Sequence, residues 1–325
     1  MEPKIPYKPV LTQPNRSQFA IKMISLIIVV GIVLYGGITI LINREAFADV
    51  ILALNNILWT QIIMLSLSSY LLRFVRWHSF IVALGYNVPS IRNLEIYLAA
   101  FAFTLTPGKI GETVRSVYLY RYGVSYPHSI GAFISERLLD LVAVGVLASL
   151  IIFIFPEYQF WLLGIIAFCI IIIIIFRSRL LSLIFNQLVK GSLKKYIIQS
   201  ISAVTFLLSK YRLVGGITLS LMAWTMQGIS LYLIVNALNY DLPIVNIIAI
   251  YCLSILAGAV SSIPGGLGAT EVAMTLLLSA VGVTQSDAII ASVISRGLTL
   301  WLAVGIGVAT MAKVVLTQPQ YLTRK

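Results

Sequence analysis

The sequence predicts an all-α polytopic membrane protein, with about six transmembrane helices plus two oppositely oriented re-entrant hairpins that form an inverted repeat. Three observations lead there. Of 325 residues, 59% are hydrophobic and 10% charged, with a mean hydropathy of +0.98, a composition outside the range of soluble globular domains. The apolar residues gather in runs of about 20, long enough at ~1.5 Å per residue to cross a hydrocarbon core of roughly 30 Å. Two Pro-Gly breaks, at Pro107-Gly108 and Pro264-Gly265-Gly266, interrupt segments too short to span, the pattern of discontinuous membrane helices.

Composition also narrows the chemistry. A net charge of +12 would suit nucleic acid in a soluble protein, but basic residues here are explained by cytoplasmic loops, and no nucleic-acid partner is expected. Cys169 and Cys252 lie inside apolar runs and read as packing residues. No Cys/His cluster, nucleophile elbow or phosphate-binding loop of the nucleotide-hydrolase type occurs, so no catalytic residue, metal or cofactor is assigned.

In chain order, residues 1–22 form a Pro-interrupted basic cytoplasmic tail. Met23 to Ile42 is the first apolar crossing, too long for a signal peptide and lacking a small-residue cleavage site. Val50 to Leu72 is the next, closed by Arg73, Arg76, Trp77 and His78, which read as an interfacial anchor with snorkelling arginines. Ile96 to Leu105 and Ile110 to Tyr122 flank the first break as short half-segments. Ser129 to Phe155 and Phe160 to Phe176 are full crossings. Residues 177–212 carry seven basic residues and no acidic one, which predicts an amphipathic cytoplasmic interface segment. Leu213 to Leu238 crosses again, Ile244 to Ile263 leads to the second break, and Ala288 to Met311 is the last crossing before a cytoplasmic tail over 313–325. The single domain is thus 23–312, with repeat halves at 50–155 and 213–312. Ile244 to Ile263 is long enough to span alone, which would weaken the inverted arrangement.

The breaks mark a repeat. Glu112 and Glu271, Gly123 and Gly282, and Arg137 and Arg296 are each 159 residues apart. Placing basic loops inside puts the ends of one hairpin on the cytoplasmic side and those of the other outside, which suits moving a ligand between two faces.

The polar residues cluster at the breaks. Pro107, Gly108, Gly111, Pro264, Gly265, Gly266 and Gly268 would free backbone N–H groups at half-helix starts, where anions are favoured, and allow close approach. Lys109, Arg115, Arg121, Arg137 and Arg296 then form a phosphate-binding set for a lipid head group. Glu112, Glu136, Asp140 and Glu271 are ion-pairing or proton-carrying candidates. The competing reading is that these charges only pair with each other, with Glu112–Arg115 and Arg137–Asp140 at helical i, i+3 spacing. His78 and His128 are solitary, with no catalytic role expected.

At these residues the chain resembles the lysylphosphatidylglycerol synthase transmembrane (flippase-like) family. The resemblance rests on Thr106-Pro107-Gly108-Lys109-Ile110-Gly111-Glu112 with Arg115, on Glu136-Arg137 with Asp140, and on Ile263-Pro264-Gly265-Gly266-Leu267-Gly268 with Glu271 and Arg296. It implies a lipid translocator or lipid-binding membrane protein, and a stand-alone member, since the aminoacyl-transferase domain of the bifunctional members has no counterpart here. The expectation is a flippase or scramblase-like transporter for an anionic phospholipid or polyprenyl-phosphate-linked lipid, in the plasma or inner membrane with both termini cytoplasmic. Its partners would be membrane lipids, with a second copy of the chain or a lipid-synthesising enzyme as protein partner. An integral-membrane transferase using Glu136, Asp140 or Glu271 as base, and an accessory scaffold, are the alternatives.

Overall fold

The structure, a computed structural model, describes residues 55–178, 180–188, 191 and 193–317. The tail at 1–22, the crossing at Met23 to Ile42, the start of the crossing at Val50 and the end of the C-terminal tail lie outside the described residues. Every regular element among the described residues is helical.

Helix α1 spans Asn56–Ala83. Asn55 caps it, its side chain accepting from the Leu58 N–H at 2.9 Å. With no Pro or Gly between Asn56 and Ala83, nothing ends the helix at Leu72 and it runs on through the basic cluster. The helix is apolar outside and polar within. Ile57, Met64, Leu71, Val75 and Val82 are exposed, whereas Ser66, Ser69, Tyr70, Arg73, Arg76, Trp77 and Phe80 are buried. The interfacial-anchor expectation for Arg73, Arg76 and Trp77 is therefore corrected, because these side chains point to the protein interior on one helical stripe. His78 is half-buried and sits within hydrogen-bond distance of Asn93 and Ser90.

Pro89 starts α2 (Ser90–Ala99), which tightens into a 3-10 turn at Ala100–Phe103. After the break, a 3-10 segment covers Pro107–Val114 and leads into the short α3 (Arg115–Leu119). Helix α4 (Tyr126–Ser149) follows a left-handed Gly123, and α5 (Gln159–Arg177), α6 (Leu180–Leu188) and α7 (Leu193–Leu207) complete the middle of the chain. Within the basic stretch at 177–212, α7 packs on α4 and buries Ala203, Val204 and Leu207. Helix α8 is Lys210–Ala237. Pro243 starts α9 (Ile244–Val260), and the second break leads into α10 (Ala269–Ala280). Helix α11 (Gln285–Arg296) continues through a π turn at Gly297–Trp301 into α12 (Leu302–Thr317). At 17 residues, α9 is about 25 Å long and packs against α10, the helix after the second break. Among the described residues, three helices are long and apolar enough to cross a membrane: Asn56–Ala83, Tyr211–Ala237 and Gln285–Val314.

The repeat extends further than its downstream register. Helices α1 and α8 both have 28 residues. The buried positions of α1, at 62, 66, 69, 70, 73, 74, 76, 77, 80 and 81, recur as buried positions of α8 at 216, 220, 223, 224, 227, 228, 230, 231, 234 and 235, each 154 residues on. Pro89 and Pro243, and the buried Tyr97 and Tyr251, keep that spacing. Tyr126 and Gln285 then open their helices 159 apart, the hairpin and break of the second half being five residues longer. Gly123 and Gly282 both adopt positive φ, at 82° and 96°. Helix α1 packs along α8, tied by a 2.9 Å bond from Ser69 Oγ to the Ala223 carbonyl, and the two breaks pack against each other.

Candidate functional site

Where the breaks meet, the fold leaves a half-open cavity of about 350 Å³, within the size range of small-ligand sites. Helix α1 supplies Tyr70 and Arg73, α2 supplies Tyr97, and the first break supplies Thr104, Lys109 and Glu112. Arg137 and Asp140 come from α4, Trp224 and Gln227 from α8, Tyr251 from α9, Gly265 and Gly266 from the second break, and Arg296 and Thr299 from the helix after it. Both halves of the repeat thus face one space.

The first half holds a charge network behind and along this wall. Arg76, fully buried, donates to Asp140 Oδ1 at 2.8 Å, lies 3.5 Å from Glu136 Oε1 and contacts Ser220 Oγ. Arg115 sits 2.7 Å from Glu136 and 3.7 Å from Glu112, stacked 3.8 Å from the Trp77 ring, a geometry that favours a desolvated guanidinium. Arg137 spans Glu112 at 3.8 Å and Asp140 at 3.3 Å. Glu112 also accepts from Thr104 Oγ1 at 3.0 Å, and Asp140 accepts from Trp224 Nε1 at 3.2 Å. The pairing reading is thus realised for both i, i+3 pairs, and as part of a larger assembly.

The second half repeats one element of this. Arg296 Nε donates to Glu271 Oε1 at 3.0 Å, and its Nη2 donates to the Gly265 carbonyl at 2.6 Å. The repeat-related pairs Glu112–Arg137 and Glu271–Arg296 are therefore ion pairs in both halves. The break needs its glycines: Gly265, Gly266 and Gly268 have φ of 64°, 67° and 82°, and a Cβ on Gly266 would lie 2.8 Å from Thr270 Oγ1 and 3.2 Å from Gly258 Cα, closer than packing allows. The first break differs from its expected form. No regular α-helix starts there; the chain is 3-10 across Pro107–Val114, and the Gly111 N–H is taken by Thr106 Oγ1 at 2.8 Å. The half-helix N-terminus expected to cradle phosphate is therefore not formed at that position.

Two cations on the wall stand apart. Arg73 is 7% exposed and stacks 4.2 Å from the Trp224 ring, with no carboxylate within 4.0 Å among the described residues, and its Nε and Nη2 have no hydrogen-bond partner there. Lys109, half-buried, likewise has no ion pair among the described residues, and its backbone holds a left-handed φ of 57°, a conformation that costs a non-glycine residue ~1–2 kcal/mol.

Of the five basic residues picked from the sequence, Lys109, Arg137 and Arg296 line the cavity. Arg115 is buried behind the wall, and Arg121 is exposed on the turn at Tyr120–Tyr122 away from it. Glu112 and Asp140 line the cavity, while Glu136 and Glu271 are buried beside their arginines. The sequence reading does not pick out Arg73, Arg76, Tyr97, Tyr251 and Gln227 as site residues. For Arg73 and Arg76 a signal is present: Ser66, Ser69, Tyr70, Arg73, Arg76 and Trp77 recur with helical period inside an apolar run, which marks an inward polar stripe in a membrane helix.

The family described as the lysylphosphatidylglycerol synthase TM region matches residues 24–307. A UPF0104 membrane protein of Methanothermobacter thermautotrophicus is 24% identical over 318 residues, covering 88% of this chain and 94% of that protein. One of Pyrococcus horikoshii is 26% identical over 322 residues, covering 87% and 94%. One of Methanocaldococcus jannaschii is 25% identical over 249 residues, covering 68% and 74%.

Proposed function

Because this chain belongs to the lysylphosphatidylglycerol synthase transmembrane family, and is a membrane protein, we propose that it is a flippase or scramblase-like lipid transporter. It takes the head group of an anionic phospholipid or polyprenyl-phosphate-linked lipid between the two hairpins, which enter the membrane from opposite sides, and lets the tails stay in the bilayer. One observation carries the reading: a cavity lined by Arg73, Lys109, Arg137 and Arg296 among apolar side chains lies between two broken helices of a chain that exposes many large apolar residues. Ionisable groups at that depth are costly and mark ligand paths in membrane proteins. The relatives' description as UPF0104 membrane proteins supports a membrane role, and the repeat gives each hairpin an equivalent place on either side of one site, the arrangement alternating access uses.

A transferase would need a carboxylate free to act as base. Glu112, Glu136, Asp140 and Glu271 each lie within 4 Å of an arginine, which favours binding over proton abstraction. The plasma or inner membrane, with cytoplasmic termini, is the setting we assign, with lipids as the partner and a second copy or a lipid-synthesising enzyme as the protein contact. Reconstitution in liposomes with a fluorescent anionic lipid tests the proposal. Transport by the wild-type chain, lost in Lys109→Ala, supports it. No lipid movement above protein-free vesicles, for any anionic lipid, sinks it.

A further inference from the structure

The buried charge of the core does not balance, and the imbalance specifies a ligand. Among the described residues, six cations are buried or line the cavity: Arg73, Arg76, Lys109, Arg115, Arg137 and Arg296. Four carboxylates, Glu112, Glu136, Asp140 and Glu271, face them. Every carboxylate lies within 4 Å of one or more of Arg76, Arg115, Arg137 and Arg296. Four arginines and four carboxylates cancel, leaving Arg73 and Lys109, and both are on the cavity wall. Two uncompensated positive charges out of bulk water are expensive unless an anion joins them. Lys109 also keeps a left-handed backbone that glycine would adopt without strain, which indicates that the lysine side chain is wanted there.

We propose that Arg73 and Lys109 form a two-point clamp for a phosphomonoester dianion, so that the cargo is a lipid monophosphate in preference to a phosphodiester or a zwitterion. This rests on the transport reading above and narrows it. A phosphomonoester carries about −1.5 to −2 charge at pH 7, with a second pKa near 6, and offers three strong acceptor oxygens. That matches two free cations, where a diester offers one negative charge. A cationic amine on the head group would find no carboxylate unclaimed by arginine. The clamp belongs to the first half of the repeat: the residue equivalent to Arg73 is Gln227, whose Oε1 accepts from the Tyr251 hydroxyl at 2.7 Å. The phosphate therefore sits on the first-break side of the cavity.

The test uses the full chain in nanodiscs, titrated calorimetrically with short-chain phosphatidic acid, the matching phosphatidylglycerol, and inorganic phosphate. At pH 7.5 the monoester binds at least about tenfold tighter than the diester, equivalent to 1.4 kcal/mol. Lowering the pH to 5.5 weakens the monoester towards the diester and leaves the diester unchanged. Arg73→Gln abolishes the preference, and Arg73→Lys, which keeps the charge, retains most of it. Equal affinity for both lipids in the wild type, or an undiminished preference in a folded Arg73→Gln protein, overturns the clamp. Inorganic phosphate binding as tightly as phosphatidic acid overturns the lipid as its source. Monoester preference without lipid movement in liposomes would leave the clamp and remove the transporter; movement without preference would do the reverse.

Discussion

The two halves of the repeat share a scaffold and differ in how it is filled. Position by position, Arg76, Glu136, Asp140 and Arg115 of the first half correspond to Ser230, Ser295, Thr299 and Met274 of the second, all buried. Only the Glu–Arg pair, Glu112–Arg137 and Glu271–Arg296, is common to both. The second break turns on Ser262 and three glycines at positive φ, whereas Lys109 is the one described residue of the first break there. The shared pair thus goes with the helix–break–helix geometry, and the additional charges of the first half go with what that side of the cavity holds.

The largest test of this contrast removes equivalent residues from each half. Arg76→Met removes a fully buried guanidinium that bridges Glu136 and Asp140, leaving Glu136 to Arg115 and Asp140 to Arg137 and Trp224; breaking such a buried network costs about 3–5 kcal/mol, and the protein should melt well below wild type or fail to accumulate. Ser230→Ala, at the matching position, removes a hydroxyl that donates to the Met226 carbonyl of its own helix and should cost no more than about 1 kcal/mol. Thermal melts in detergent followed by tryptophan fluorescence compare the two. Equal losses would show that the halves depend on charge alike.

The shared pair gives the next largest effect, and it should be unequal. Arg296→Met takes from the buried Glu271 its 3.0 Å bond to Nε and frees the Gly265 carbonyl, for a loss of about 3 kcal/mol. Arg137→Met costs less, because Glu112 keeps Arg115 and Thr104 while Asp140 keeps Arg76 and Trp224. The same melts measure both, and a larger loss for Arg137→Met would mean that the first network is not redundant.

Much of this was legible in the sequence, and the illegible part has a physical cause. The breaks and the equivalence of Gly123 with Gly282, Glu112 with Glu271 and Arg137 with Arg296 can be read from a constant spacing, whereas the pairing of each Glu with the Arg 25 residues on takes the fold to see. The correspondence of α1 with α8 could not be seen as residue identity, because what is repeated is burial, with Arg73 opposite Gln227 and Arg76 opposite Ser230. Arg73 reads as interfacial because arginines near the end of an apolar run usually reach for water; here no helix breaker follows until Gly85, so the helix carries them inward. The closeness of Arg115 to the break suggests a ligand, yet side-chain direction on a short helix turns it to Trp77 and Glu136. Pro-Gly at the first break suggested a half-helix start, and the tighter 3-10 path cannot be read from composition.

Removing an unpaired charge should act in the opposite sense to removing a paired one. Arg73→Met deletes a buried guanidinium with no carboxylate partner, and without ligand it should stabilise the chain by about 1 kcal/mol or more. Lys109→Gly relieves a left-handed backbone and should stabilise by about 1 kcal/mol, while anion affinity falls. A lower melting temperature for Arg73→Met in lipid-free detergent would show that Arg73 is compensated by a partner and would weaken the contrast between matched and unmatched cations.

The smallest expected effect lies outside the cavity, where Lys313 of α12 donates to Glu95 of α2 at 2.8 Å and Arg92 donates to the same carboxylate. The Lys313 bond, aided by Arg92, holds the Glu95 carboxyl below its ordinary range. A depressed carboxyl contributes stability above the unfolded value of about 4.3 and loses it as pH falls through the lower folded one. Lys313 is 61% exposed, so solvent screens the pair and Lys313→Ala should cost under about 1 kcal/mol. That small difference should be present at pH 7 and vanish in acid once Glu95 is protonated. Melting curves of Lys313→Ala and wild type across that range check it; a difference that persists in acid would mean that the α2–α12 contact depends on packing of the lysine stem rather than on charge.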